Sequence, residues 1–243
     1  MRNVWIILKR EIIAYFTTPL AYVLIFFFTL ASLGLSFYFN NLIEAGDASL
    51  TRFFMWHPWI YVIFGPAIGM RLWAEENRTG TTELLLTMPI SPWQAILGKF
   101  LAAAATLAST LIFTISIVFT INSLGDPDGA TIWSGYVGSY LVGLATIALT
   151  GAFSAVTRSP ITCLLLSVIV SFFFMLVGYG PIIDFMRGAH LNFLADICTS
   201  VSFSWHLTEM GRGNMLIQSL IYLLSFTGFS LVLTSVFIRS RRS

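Results

Sequence analysis

Apolar runs of about 20 residues recur along this chain, and they leave it very few ways to fold. Crossing a hydrocarbon core of ~30 Å takes about 20 residues at ~1.5 Å each. Inside a bilayer every backbone polar group needs an internal partner, so such runs fold as spanning helices. Composition agrees: 57% of the 243 residues are hydrophobic and 10% are charged, against about 25% charged in soluble domains. The expectation is an all-α integral membrane protein with six transmembrane helices, at 20–40, 53–73, 97–121, 133–157, 161–181 and 215–238. Residues 20–238 then form the membrane domain, 1–19 precede it as an N-terminal amphipathic elbow helix, and 239–243 are a basic tail.

The start of the chain does not read as a cleavable leader. The apolar stretch 4–8 is too short before Lys9, Arg10 and Glu11 interrupt it. Cys163 and Cys198 suggest small buried hydrophobes rather than a disulfide framework. The net charge of +2 gives no sign of nucleic-acid binding.

Lysine and arginine set the orientation. With the N-terminus inside, Arg2, Lys9, Arg10, Arg71, Arg78, Lys99, Arg158, Arg239, Arg241 and Arg242 fall on the cytoplasmic side. Only Arg52, Arg187 and Arg212 fall outside. Ten against three predicts a multi-pass protein of the inner (cytoplasmic) membrane with both termini in the cytoplasm.

Two segments read as interfacial. Residues 1–16 place Trp5, Leu8, Ile12, Tyr15 and Phe16 on one helical face, with Ile6 and Ile13 spoiling the pattern. Leu191, Leu194, Ile197, Cys198 and Val201 recur at helical spacing in the last outer loop, 182–214. Two readings stay open for that loop: a re-entrant dip, or a helix lying on the outer leaflet.

Catalytic candidates are scarce. No carboxylate sits near the middle of a span, so the coupling groups of ion-driven transporters are missing. Gly98-Lys99 is followed by Phe100 and does not complete a phosphate-binding loop. His190, His206, Cys198 and Asp196 share an outer loop, but their spacing matches no familiar ligand pattern, and no metal site is assigned. Nothing pairs a nucleophile with a base, so no catalytic residue is assigned and an intramembrane enzyme is disfavoured.

Some features read as scaffold. Gly135, Ser139 and Gly143 share a face of the fourth span, and small faces let helices approach closely. Pro58, Gly65, Pro66 and Gly69 should break the second span, which makes Pro58, Gly65 and Pro66 candidates for a pathway wall or for a simple packing kink. Phe172, Phe173, Phe174 and Tyr179 face lipid, another subunit or an amphipathic substrate, with membrane lipid the default; Phe172 and Tyr179 join the pathway candidates.

Residues 75–99 stand apart, as a charge-dense stretch between two apolar runs. Arg78-Thr79-Gly80-Thr81 offers a turn, after which Thr81 or Thr82 can cap a short helix through Glu83, Leu84 and Leu85 that Pro89 stops. Ser91 is a cap for the next helix, with Pro92 at its first position and Gln94 as third-position partner. A short helix across the cytoplasmic face, tethered by a span at each end, makes a lever; the alternative is an ordinary solvated loop.

These residues carry a resemblance. Glu76-x-Arg78-x-Gly80-Thr81-x-Glu83-Leu84-Leu85-x-x-x-Pro89-Ile90-Ser91, then Gly98-Lys99, resembles the signature of type-2 ABC transporter permeases. The nearest branch is the short six-span one that includes gliding-motility and nitrous-oxide-maturation permeases. The motif covers about 25 residues. The resemblance implies a cytoplasmic coupling segment at 74–96 between spans 2 and 3. There Glu75, Glu76, Arg78, Gly80, Thr81, Glu83, Leu84, Leu85, Pro89 and Ser91 would contact an ABC ATPase subunit. It implies two permease chains, identical or not, with two ATPases that carry ATP and Mg while this chain binds no cofactor. It also implies that the second and fifth spans wall the pathway of an exporter. The chain lacks the large outer domain of some relatives, which leaves room for a separate extracytoplasmic accessory protein. A second functional reading is a mechanotransmitting scaffold, in which the ATPase cycle acts on that partner and no cargo crosses.

Overall fold

The computed structural model describes residues 2–40, 50–81, 90–124 and 127–240, and every regular element among them is a helix. In chain order these are α1 (Arg2–Thr17), α2 (Pro19–Asn40), α3 (Thr51–Phe54), α4 (His57–Gly69), α5 (Ala74–Thr79), α6 (Pro92–Thr114), α7 (Ser116–Leu124), α8 (Gly129–Val156), α9 (Pro160–Leu176), α10 (Gly180–Gly188), α11 (Asn192–Val201), α12 (Phe203–Gly211) and α13 (Ile217–Ser240).

Four stretches among the described residues are long and apolar enough to cross a membrane: Pro19–Tyr38, Pro92–Ser123, Gly129–Val156 and Ile217–Ser240. They match the first, third, fourth and sixth expected spans. The fifth is Pro160–Leu176 followed by Gly180–Gly188, bent by 51°, so five crossings are counted if the bent pair is one span. The second expected span differs most. The chain turns at Met55 and Trp56, and α4 has 13 residues, only ~20 Å of helix. Of the breaks expected at Pro58, Gly65, Pro66 and Gly69, those at the first and the last are found: Pro58 sits in the first turn of α4 and the helix ends at Gly69, while Gly65 and Pro66 lie within it.

Helix ends follow local chemistry. Ser91 caps α6 in a reciprocal box: its hydroxyl accepts from Gln94 N, and Gln94 Oε1 accepts from Ser91 N, both at 3.3 Å. Asp128 caps α8 by accepting from Ala130 N at 3.0 Å. That bond and the Thr131 hydroxyl hold its carboxyl below the usual carboxylate range. Ser159 caps α9, with Pro160 at its start.

The hub is α8, against which α4, α6, α9, α12 and α13 pack. Its inner face is built from small residues and hydroxyls, so neighbours come very close. A Cβ on Gly65 of α4 would lie 2.2 Å from Thr146 Oγ1, and one on Gly135 would lie 2.1 Å from a ring carbon of Phe54. Ser139 Oγ meets Tyr61 Oη at 2.9 Å. Other buried hydroxyls bond carbonyls one turn back: Thr106 to Ala102, Thr110 to Thr106, Thr150 to Thr146 and Thr234 to Ser230. That local closure lets polar side chains sit in an apolar bundle at little cost. Large apolar groups point outward instead, among them Tyr22, Phe26 and Phe27 of α2 and Ile221, Phe229 and Val236 of α13, as a lipid-facing surface requires.

Candidate functional site

The charged groups expected at one membrane face do gather at one end of the bundle, called here the proximal end. Glu75 and Glu76 lie on α5, a six-residue helix that ends where Gly80 takes the left-handed conformation, φ 75°. Only glycine adopts that backbone readily, and it is the usual helix stop. The expected turn at Arg78–Thr81 is therefore the last turn of α5 and its stop. Arg78 and Gly80 are exposed, and the Thr79 and Thr81 hydroxyls meet at 2.9 Å. Ser91 caps α6 as described. Thr82 and the proposed lever, Glu83, Leu84, Leu85 and Pro89, lie outside the described residues.

The base of α5 is fixed to α8. Ser154 Oγ accepts from the backbone N–H groups of Trp73 and Ala74 and donates to Met70 O at 3.0 Å. Asn77 Nδ2 lies within 3.0 to 3.2 Å of the carbonyl oxygens of Ser154, Ala155 and Thr157. It thereby covers carbonyls that the end of α8 leaves open.

A second set of contacts ties α5 to α1 and α6. Lys99 is 2% exposed. Its ammonium lies 2.8 Å from Glu76 Oε1, 3.5 Å from Glu11 Oε1 and 5.1 Å from the centre of the Trp73 ring. Arg10 pairs with Glu11 and lies 3.5 Å from Glu76 Oε1. Glu76 Oε2 is buried with no hydrogen-bond partner. Burial pushes the Glu11 carboxyl upward, but Lys99 and Arg10 outweigh it and hold it below its ordinary value. On Arg10, the hydrogen bond it donates to Glu11 outweighs burial and raises the guanidinium further. Beside the cluster, Arg71 Nε meets Glu75 Oε2 at 2.8 Å. Glu11, Arg71, Glu75, Glu76 and Lys99 line a cavity of about 260 Å³, bounded also by Tyr15, Thr79 and Thr81.

Helix α1 seats on α6 through a face that differs from expectation. Ile7 and Tyr15 are buried and Leu8, Ile12 and Phe16 pack inward, but Trp5 is exposed. Ile7 gains its place because Gly98 has no side chain; a Cβ there would lie 2.8 Å from Ile7 Cγ2. Tyr15 Oη donates to Ile68 O at 2.9 Å, and Asn3 Nδ2 donates to Gln94 Oε1 at 3.3 Å. Glu11 and Lys99 were missed as a pair at the sequence level. The signal available was opposite charges on two otherwise apolar helices.

The other candidates lie elsewhere. Pro58, Gly65 and Pro66 are buried on α4, with Gly65 against α8. Phe172 and Tyr179 are partly exposed and meet α4 at Trp59, with ring centres 6.4 and 5.7 Å away. His57, also missed, is fully buried among Phe28, Phe53, Phe54 and Tyr61, with neither ring nitrogen hydrogen-bonded. His206 is not grouped with His190: its nitrogens meet Ser219 Oγ and Ser200 O, and its ring stacks on Tyr222. Leu191, Leu194 and Ile197 present an exposed apolar face on and beside α11.

Comparison with curated proteins returned no match. The model of the ABC-2 family transporter protein matches residues 58–195, over half of the chain. The matched stretch runs from α4 into α11, so it contains Glu75, Glu76 and Lys99 while Arg10 and Glu11 precede it. With an all-helical bundle, several helices able to cross a membrane and this match, the chain belongs to the ABC-2 transporter family, as a multi-pass membrane subunit.

Proposed function

We propose that the chain is the permease subunit of an ABC exporter, driven by a separate ATPase that docks at the proximal end. One observation carries the reading: the Lys99–Glu76–Glu11–Arg10 cluster, built around the buried Lys99, joins α1, α5 and α6 into one unit at the foot of the bundle. A docking segment transmits force only if its base does not give. Here the segment between α5 and α6 is held at both ends, by Ser154 and Asn77 on one side and the Ser91 box on the other.

In this reading residues 82–89 form the coupling helix, with Glu83, Leu84 and Leu85 in a groove of the ATPase, and α1 is the elbow beside it. Two permease chains and two ATPases make the working unit, and the ATPases hold ATP and Mg. Six crossings are made, α4 with its flanking turns serving as the short second one. Arg10, Arg71, Arg78, Lys99 and Arg158 all belong to the proximal end, which supports a cytoplasmic placement for that end and for both termini. ATP-driven approach of the two ATPases would then tilt each proximal unit and rock the bundle between two packings. Trp59, Phe172 and Tyr179, where α4 meets the bent fifth span, are the proposed pathway wall. An extracytoplasmic partner would engage the exposed apolar face around α11.

Glu83→Lys tests the docking. The tagged variant, purified in mild detergent, should lose its ATPase partner while Arg187→Glu, in the outer segment, keeps it. An ATPase that accompanies Glu83→Lys at the wild-type ratio would remove the coupling assignment.

A further inference from the structure

The bundle has a second cavity, apart from the charged one, of about 470 Å³. It lies in the groove that α9 and α13 leave as both pack on α8. The two flanking helices meet near the distal end, where Phe174 and Phe226 have ring centres 5.1 Å apart, and from there the groove runs proximally to Thr157 and Phe237. The 11-residue separation of Phe226 and Phe237 on α13 makes it ~16 Å long. Its floor is made by small buried residues, Ala152 and Ser230, while Val156, Leu166 and Phe229 stand exposed at the rim. The groove exists because the floor side chains are short.

Shape and charge select the occupant. A cavity of about 470 Å³ drawn out over ~16 Å is a narrow cleft, slimmer than a helix ~10–12 Å across. An extended hydrocarbon chain fits such a cleft. Two exposed arginines lie close along the chain to the residues that meet at Thr157, on the proximal mouth. Arg158 is its chain neighbour, and Arg78 follows Asn77, whose Nδ2 donates to Thr157 O at 3.0 Å. Apolar depth beneath a basic rim is the complement of an anionic phospholipid.

We infer that an anionic phospholipid binds here, one acyl chain in the groove and its phosphate between Arg78 and Arg158. The site rests on the proposed function only for the leaflet it faces, the cytoplasmic one. Because Arg78 ends α5 and Arg158 follows α8, a headgroup between them bridges the same two elements that Ser154 and Asn77 join. Bound lipid would thus brace the base of the proposed coupling segment.

The test needs no ATPase, so its failure is separate from failure of the docking assignment. The purified chain is placed in nanodiscs with phosphatidylglycerol or phosphatidylcholine carrying a diazirine in one acyl chain, irradiated, and its labelled residues mapped by mass spectrometry. Phosphatidylglycerol should label Phe229, Leu233 or Leu166 in preference to phosphatidylcholine. Arg78→Gln with Arg158→Gln should remove that preference at about fivefold per arginine with the melting temperature in lipid-free detergent unchanged. Ala152→Phe should abolish groove labelling by both lipids; Leu233→Trp, at the edge, is the second filling variant should the first not fold. Equal labelling by both lipids in the wild type overturns the proposal, as does labelling spread evenly over the exposed faces of α2 and α9. Groove labelling that persists in both filled variants, or a change of oligomeric state in their place, also overturns it by seating a second chain there.

Discussion

Removing the Lys99 ammonium would leave Glu76 and Glu11 with the half-exposed Arg10 guanidinium as the cation beside them. Breaking a buried pair from one side costs about 3–5 kcal/mol, far more than the pair is worth against apolar substitutes. Lys99→Met should therefore lower the melting temperature in detergent sharply, and adding Glu76→Gln should restore part of the loss, read as a double-mutant cycle. The cluster also sets an acid limit. Glu11 is held below its ordinary carboxylate value of 4.5, so its contribution is complete above that pH and is lost as pH falls through the lowered folded value. Wild type should lose more melting temperature than Glu11→Gln between pH 6 and pH 3.5; equal losses would remove the linkage. Little of this was legible beforehand. Arginine and lysine counts placed these residues at one face, but pairing across 88 residues of sequence, from Glu11 to Lys99, depends on how α1 folds back. His57 was overlooked because its neighbours make it look like part of an aromatic run, and only the packing of α2 and α3 around it shows that it is enclosed.

At the scale of elements, the small faces decide which helices touch. Gly65→Ala places a methyl against Thr146 and should cost about 1–3 kcal/mol. The same change at Gly34, where a Cβ meets nothing within 4 Å, should be neutral or stabilise α2 by up to about 1 kcal/mol. Thermal unfolding should show a loss for Gly65→Ala and none for Gly34→Ala if α8 is the hub; equal effects would contradict that packing. Helix caps were readable from sequence because they are local: Ser91, Pro92 and Gln94 form the expected box within four residues. Long spans were readable from apolar length. Tertiary choices were not. The face of α1 shifts toward Ile7 because Gly98 opens a place for it; the break of the second span at Pro58, by contrast, was among those its prolines and glycines announced.

For the whole molecule, the proposed architecture puts the charged proximal end in the cytoplasm and α11 outside. A membrane-impermeant maleimide should label Phe193→Cys in intact cells, and Thr79→Cys only after permeabilisation, both in a background with Cys163 and Cys198 replaced. The reverse pattern would invert the topology and with it the docking face. Family membership is visible in the Glu76–Lys99 motif and in the match over residues 58–195, whereas cargo is written in neither, since apolar helices closed by local hydroxyl bonds suit many solutes. The central claim is that this subunit is moved by a separate ATPase. Affinity purification of the tagged chain in mild detergent, with mass spectrometry of what accompanies it, tests that most directly. The account predicts a nucleotide-binding ATPase at one copy per permease chain; a chain that purifies alone, monodisperse and in good yield, would contradict it.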